Sequence, residues 1–474
     1  MSRQPDSHEV PPDPPPLKVA EPQIERDDPW SDDVLDRAEV AKLLTNIVHG
    51  QRAPFVISLD GRWGTGKTFL LKRWQQDLQN HGFEAIYFNA WEDDFSVDPL
   101  LAIIGQLSEH FVDGVLQQIT SRVARAAGRI LVHRVTGASV EGLKPESLLE
   151  DYREQRKTKT SVRERLTELA TSVSENKGLP LVFIIDELDR CRPHFALELL
   201  ERVKHIFDVP NIVSVFGINR AELMKSLQSI YGEIDAGTYL RRFFDMEFIL
   251  PDVDPAPFCE YLATRFGLHS FLATLRPNMH FYLDDDGDSL VPAVLGRMGL
   301  ALRDMDYCLR LLAMASTNRE ANAHVYPELF VLLVATKVDN PDLFRRFAEG
   351  DAQGVDLIDN LHLSRAAGPR RGTGETSTRP ILNWVEAAAY HVDDPQSARE
   401  QLLHVNSQAG PLSEPLHISL ETSRLDPRNG WDKERLDKLL RLMPDSGYAA
   451  FRGYGQARRR LPRLIDLYAG LVRR

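Results

Sequence analysis

The sequence of 474 residues is poor in cysteine and has no long hydrophobic segment. Its three cysteines, Cys191, Cys259 and Cys308, are far apart and lack metal-ligand spacing, so we expect buried thiols in a reducing compartment. No apolar stretch approaches the roughly 18 residues that span a bilayer, and the first residues lack the apolar core of a signal peptide. The sequence therefore predicts a cytoplasmic protein without membrane insertion.

The composition predicts folded domains behind a disordered arm. A hydrophobic content of 43% is enough for globular cores, whereas residues 1–30 are rich in proline and charge and cannot bury enough apolar surface to fold. The net charge of −12 disfavours binding of the whole chain to nucleic acid. The arginine-rich end, residues 452–474, is either a local binding patch for nucleic acid or an acidic partner, or a solvated surface.

The segment that indicates the biochemical class is GRWGTGKT. It matches G-x-x-x-x-G-K-[ST], follows a strand-like run at Phe55–Asp60 and precedes a helical pattern, which is the context of a P-loop. Glycines let its N–H groups turn toward phosphate oxygens, and the helix N-terminus adds its positive end. Lys67 is predicted to reach the β- and γ-phosphates, and the Thr68 hydroxyl to bind Mg²⁺. The predicted nucleotide contacts are Gly61, Arg62, Trp63, Gly64, Thr65, Gly66, Lys67 and Thr68.

A second acidic segment, LVFIIDELD at Leu181–Asp189, favours hydrolysis over transfer to an acceptor. Its apolar run predicts a strand buried on both faces, and Asp186 at the strand end is predicted to hold the Mg²⁺ shell. Glu187 beside it is predicted to polarise the attacking water. Asp189 is a second candidate for the metal or water role.

Two further apolar segments, Glu84–Trp91 and Asn211–Asn219, are predicted to be strands of the same sheet. Asn219 either contacts the γ-phosphate or the attacking water, or caps the helix that follows. Asn89 is a hypothetical restraint on Glu187 when no partner is bound. The additional helix and strand between the P-loop and the acidic strand indicate the additional-strand branch of P-loop proteins, with parallel strands and helical crossovers.

Taken together, these segments resemble the KAP family of P-loop NTPases over roughly Asp36 to Pro251. The matching pieces beyond GRWGTGKT are FNAW at Phe88–Trp91, IIDELDRCRP at Ile184–Pro193, FGIN at Phe216–Asn219 and YLRRFFDMEFILP at Tyr239–Pro251. The family includes bacterial proteins linked to phage exclusion and animal proteins at membranes, many with transmembrane helices between the two Walker motifs. The corresponding segment here, about 113–159, is interrupted by charge, so we expect a soluble helical insertion instead.

The resemblance also implies contacts outside the P-loop. An arginine after the helix between the fourth and fifth strands can reach a neighbouring subunit's γ-phosphate, and the matching positions are Arg241 and Arg242. The alternative is a solvated pair. Arg303 resembles the sensor arginine of a helical lid, with a solvated helix face as its alternative. Family analogy places the adenine contacts near Asp36–Val40, and the absence of an Asn-Lys-x-Asp motif favours ATP over GTP.

The predicted architecture is an α/β P-loop core at residues 31–251, with a parallel sheet between helices and the helical insertion. A helical lid at 252–345, a linker at 346–380 and a helical region with a basic end at 381–474 follow, so the C-terminal half is mostly α-helical.

Three functions are consistent with this layout. The first is an ATP-hydrolysing molecular switch that self-associates and, by resemblance, serves phage defence. The second is a scaffold that holds ATP with little turnover and recruits an unknown protein partner, which the presence of Glu187 disfavours. The third is a nucleic-acid remodelling ATPase, which the acidic composition disfavours.

Overall fold

The computed structural model describes residues 23–96, 98–111, 145–269, 290–316, 327–363, 461–463 and 465–466. The chain divides into two compact units. We call Pro22–Asp252 the sheet unit and Val253–Arg474 the helical unit.

A five-stranded parallel sheet forms the centre of the sheet unit, with strand order β2-β3-β4-β1-β5. The strands are β1 Phe55–Asp60, β2 Glu84–Asn89, β3 Leu181–Asp186, β4 Ile212–Ile218 and β5 Met246–Ile249. Every residue of β3 and β4 is buried, as expected for central strands of a parallel sheet that is covered on both faces. The carboxyl ends of β1 and β3 therefore lie at one edge of the sheet, on either side of β4.

Helices cover both faces of this sheet. Those described in the sheet unit are α1 Arg37–His49, α2 Lys67–Asn80, α3 Pro99–Phe111, α4 Pro145–Lys177, α5 Pro193–Ile206, α6 Arg220–Tyr231 and α7 Ala236–Leu240. Side chains of β3 alternate between two cores: Val182 and Ile184 pack with α1 and α2, and Phe183 and Ile185 pack with α3, α4 and α5. The apolar run of β3 thus supplies both cores at once.

The helical unit has a separate apolar core. Its described helices are α8 Ala256–Arg265, α9 Leu290–Leu295, α10 Leu302–Ser316, α11 Pro327–Asp339, α12 Pro341–Glu349 and α13 Gly354–Leu363. Helix α12 crosses the boundary predicted at residue 345 between lid and linker, and α13 lies within the predicted linker. Both helices contribute to this core, as do Leu461 and Ile465. Most of the predicted linker and C-terminal region, residues 364–460, lies outside the described residues, as do most of the predicted basic patch and the arm up to residue 22.

The strands predicted from the sequence are all present, and the α/β fold class is confirmed. Strand β5 was not predicted as a strand. Of the insertion predicted at about 113–159, residues 112–144 lie outside the described residues, and the rest belongs to the continuous helix α4. The described residues begin at residue 23, within the predicted arm, and Trp30 packs against the core of α1 and α2. No helix in the described ranges is long and apolar enough to cross a membrane.

Arg37, at the start of α1, binds the backbone of the loop that carries GRWGTGKT. Its guanidinium is 1% exposed and donates to the carbonyl of Pro251 and to that of Thr65, both at 2.9 Å. Burial lowers the Arg37 pKa, and the carboxylate of Asp33 opposes this effect. The side chain therefore ties α1 and the chain beyond β5 to the loop.

Replacing Arg37 by Met should lower the free energy of unfolding by about 2–4 kcal/mol, because two partly buried carbonyls lose a charged donor. Urea unfolding followed by circular dichroism measures the change. Arg52→Met is the matched control: Arg52 is exposed, although it also donates to carbonyls, including that of Gly178 at 2.8 Å. The control should cost less than about 1 kcal/mol, and equal losses for both variants would contradict the role of Arg37.

Candidate nucleotide-binding site

The loop between β1 and α2 has the backbone of an anion-binding site. Gly64 and Gly66 adopt positive φ angles of 79° and 89°, a region that L side chains rarely enter. The Gly61 N–H donates to the Ile218 carbonyl at 3.1 Å, which fixes the start of the loop to β4. No side chain caps the N-terminus of α2, so its first N–H groups are available for an anion. Gly61–Thr68 therefore forms the predicted P-loop.

Lys67, the first residue of α2, points back into the loop. Its side chain is 8% exposed, and the ammonium donates to the carbonyls of Gly61 at 2.5 Å and Arg62 at 3.1 Å. Burial lowers the Lys67 pKa, and the carboxylates of Asp189 and Asp186 oppose that shift. A nearly buried cation is thus held where the loop N–H groups converge.

Asp186 ends β3 and is 1% exposed. Its carboxylate accepts hydrogen bonds from the Tyr87 hydroxyl at 3.0 Å and from the Glu187 N–H at 2.8 Å. Burial raises the Asp186 pKa, and the neighbouring hydroxyls of Thr68 and Tyr87 oppose the shift. The two predicted Mg²⁺ ligands, Thr68 and Asp186, are therefore brought together.

Tyr87 was missed by the sequence analysis. It lies on β2 opposite Ile184, and Asp186 is two residues further along β3, on the same face. A tyrosine two residues before the end of the neighbouring strand is the signal that could have found it, given the strand order.

Glu187 follows β3 with a φ angle of 61°, which turns its side chain away from the strand direction. Its carboxylate forms an ion pair with the Arg190 guanidinium at 2.9 Å, and the carbon of that guanidinium lies 5.3 Å from the centre of the Trp91 ring. Burial raises the Glu187 pKa, and Arg190 and Asn89 oppose the shift. The Asn89 amide donates to the Glu92 carboxylate at 2.7 Å, and its hypothetical restraint on Glu187 stays a prediction. Arg190 was missed.

The family model of the KAP family P-loop domain matches residues 37–315, more than half of the chain. This chain belongs to the KAP family of P-loop NTPases. No curated protein sequence matches it.

Solved structures resemble the KAP chain only weakly. The Aeropyrum pernix ORC2 protein (ADPNP-ADP complexes) is 13% identical with a TM-score of 0.33, covering 74% of this chain and 84% of that one. AMPPCP-bound DnaA from Aquifex aeolicus is 11% identical with a TM-score of 0.28, covering 89% and 92%. Drosophila ORC bound to GC-rich DNA and Cdc6 is 12% identical with a TM-score of 0.31, covering 92% and 65%.

The remaining predicted site residues of the KAP domain are a helix cap, Asn219, and three exposed arginines. Asn219 caps α6, where its side chain accepts from the Glu222 N–H at 3.4 Å, so the capping alternative is confirmed and a second role stays a prediction. Arg241 and Arg242 follow α7 and are exposed, as both the finger and the solvated pair require. Arg303 is exposed on α10 of the helical unit, and its sensor role stays a prediction.

The residues of the KAP site fit a nucleotide with Mg²⁺. The adjacent oxygen donors of Thr68 and Asp186 are of the kind that Mg²⁺ prefers, and Mg²⁺ bound with a nucleotide takes few protein ligands. Among the residues that the structure describes, no group of three or more His, Cys, Asp or Glu could hold a metal ion by itself.

Gly217 of β4, which was also missed, makes room for Asp186. A Cβ atom at this position would lie 2.4 Å from Leu71 Cδ1 and 2.6 Å from Asp186 Oδ1. The two residues are register partners in neighbouring strands. A glycine inside a buried strand is the sequence signal of such a close approach.

Gly217→Ala should lower the free energy of unfolding by about 1–3 kcal/mol, because the methyl group overpacks the core and displaces the Asp186 carboxylate. Gly105→Ala on α3 is the matched control: nothing lies within 4 Å of a Cβ there, so better helix propensity should leave stability unchanged or higher. Thermal unfolding of both variants measures the difference, and a neutral Gly217→Ala would show that Asp186 does not need this space.

Proposed function

We propose that this protein binds ATP with Mg²⁺ and hydrolyses it, and that the nucleotide state switches its assembly. The observation that carries the proposal is that Lys67 and Thr68 of the P-loop lie beside Asp186 at the end of β3. Glu187 is the next residue in the chain. A phosphate-binding loop, a pair of metal-ligand oxygens and a neighbouring carboxylate are the parts that phosphoryl transfer to water requires.

Each residue has a distinct task in this proposal. Lys67 supplies positive charge to the β- and γ-phosphates, and the loop N–H groups orient them. Mg²⁺, when bound, neutralises charge that develops on the phosphate oxygens. Glu187 accepts the proton of the attacking water. Because the Arg190 guanidinium pairs with this carboxylate in the structure, Arg190 competes with the water for it.

The switch part of the proposal depends on a second subunit. Arg241 and Arg242 are exposed beyond α7, available to the γ-phosphate bound by a neighbouring copy. A cation from a neighbour stabilises the transferring phosphoryl group, which makes hydrolysis depend on assembly. By family resemblance, an assembly-gated ATPase of this kind would serve phage defence.

Phosphate release from purified protein with ATP and Mg²⁺, over a range of protein concentrations, tests this function. We expect the rate per subunit to rise with concentration in the natural protein. Joint replacement of Arg241 and Arg242 by Ala should remove the rise and lower the maximal rate by about 10³-fold. Lys225→Ala removes a side chain that is 70% exposed on α6 of the same unit and should change neither. A constant rate per subunit would contradict assembly gating.

A scaffold that holds ATP with little turnover is the second candidate. The ion pair of Glu187 with Arg190 favours it, because a carboxylate paired with a cation is a weaker base toward water. Tight ATP binding with no phosphate release at any protein concentration would support the scaffold and contradict the hydrolytic switch.

A further inference from the structure

Trp63 and Asp189 connect two segments that are far apart in sequence. Trp63 is the third residue of the P-loop, and Asp189 lies in the short 3-10 helix Leu188–Arg190 that follows β3. The Trp63 indole N–H donates a hydrogen bond to Asp189 Oδ2. Because β4 lies between β1 and β3, this hydrogen bond joins the loop after β1 to the turn after β3 across the carboxyl end of β4.

The hydrogen bond is a principal restraint on the Trp63 side chain. The Trp63 ring is 44% exposed, so apolar packing fixes it only in part. Asp189 is 7% exposed and is held in a short helical turn directly behind a buried strand. Asp189 is therefore the rigid partner in this hydrogen bond. Trp63, at the tip of the P-loop, is the partner that the bond restrains.

Asp189 also acts on the loop by charge. Of the carboxylates that oppose the effect of burial on Lys67, Asp189 contributes most, ahead of Asp186. One carboxylate thus affects the loop at two places: a hydrogen bond at Trp63 and an electrostatic attraction at Lys67. The bond to the indole also orients the Asp189 carboxylate toward the P-loop.

We propose that Asp189 is a positioning residue of the P-loop, whose hydrogen bond to the Trp63 indole holds the tip of the loop in the conformation that binds nucleotide phosphates. The inference rests on the proposed nucleotide binding and goes beyond it, because it assigns Asp189 to neither the metal nor the water. Loop preorganisation of this kind increases affinity, since less ordering is needed when the ligand binds.

Calorimetric titration of ADP in EDTA separates this role from a metal-binding role. Trp63→Phe and Asp189→Ala should each weaken ADP binding about tenfold, the loss expected for one hydrogen bond to a charged group. The double variant should be no weaker than either single variant, because both remove the same bond. Asp189→Asn should stay within about threefold of the natural protein, since its amide oxygen still accepts from the indole.

Three outcomes would overturn the proposal. Additive losses in the double variant would show that the two residues act independently. An Asp189→Ala effect that appears only with Mg²⁺ would make Asp189 a metal ligand. An Asp189→Asn variant as weak as Asp189→Ala would assign the effect to charge on Lys67 rather than to the bond.

A readout without nucleotide separates failure of this bond from failure of the proposed function. Acrylamide quenching of Trp63 is obtained, in each protein, as the difference between the form with Trp63 and the form with Trp63→Phe. This quenching should increase in Asp189→Ala and stay unchanged in Glu187→Gln. Unchanged quenching in Asp189→Ala would by itself contradict the restraint of Trp63 by this hydrogen bond. If the natural protein bound neither ADP nor ATP, the proposed function and the nucleotide role of the hydrogen bond would both be wrong, whatever the quenching shows.

Discussion

Glu187→Gln should reduce the rate of ATP hydrolysis by at least about 100-fold, the usual contribution of a general base. The dissociation constant of ATP should change less than about threefold, because the phosphates are held by the P-loop and Lys67 rather than by this carboxylate. Gln preserves the shape of the side chain, while it removes the charge that attracts Arg190 and the water proton. Single-turnover phosphate release beside ATP titration measures both quantities.

Glu92→Gln is the matched control for this substitution. Glu92 is exposed, and its carboxylate accepts from the Asn89 amide at 2.7 Å. The control should leave the rate within about twofold, because Glu92 is not adjacent to the metal-ligand pair. If Glu187→Gln retained full turnover, the water-polarising role would be wrong. If both variants lost activity equally, the loss would not be specific to Glu187, and the water-polarising role would again be wrong.

Local sequence signals predicted the parts of the site that lie on one segment. The P-loop is readable because strand, glycines, Lys67 and helix follow one another within fewer than thirty residues. The Asp186 strand is readable because a strand buried on both faces must be apolar throughout. In both cases the chemistry and the local structure are encoded by neighbours in the chain.

The contacts that join segments were not predictable in the same way. Tyr87 and Asp186 are 99 residues apart, and Trp63 and Asp189 are 126 apart, so their meeting depends on strand order. A sequence without a known strand order does not reveal which edge residues face each other. Strand β5 escaped prediction for a different reason: it has only four residues, and burial alternates along it at the edge of the sheet.

The conformation of Glu187 was equally hidden. Sequence reasoning identified the residue from its place after Asp186, yet its positive φ angle depends on the 3-10 helix that begins directly after it. That turn brings Arg190 back onto the Glu187 carboxylate and places Asp189 against the P-loop. A short polar segment at a strand end therefore serves several functional contacts, a concentration that residue types alone do not predict.

Lys67→Ala should remove most of the stabilisation of the protein by ATP. A ligand present at 100 times its dissociation constant raises the free energy of unfolding by about 2.7 kcal/mol. Without the ammonium the phosphates lose the nearly buried cation that converges with the loop N–H groups. Loss of one buried charge partner typically costs about 3–5 kcal/mol, which would weaken binding more than 100-fold. At the same ATP concentration the thermal unfolding midpoint of the variant should then change by less than one third as much as that of the natural protein.

Lys42→Ala on α1 provides the comparison for this loss, because Lys42 is an exposed cation of the same unit. It should keep the full shift of the midpoint with ATP. Lys67→Arg adds a second test: the longer, planar guanidinium keeps the charge but cannot place a single ammonium at the Gly61 carbonyl. We expect Lys67→Arg to lose most of the shift as well. Full rescue by Arg would show that charge alone is sufficient, and that the position of the ammonium inside the loop is not what binds the phosphates.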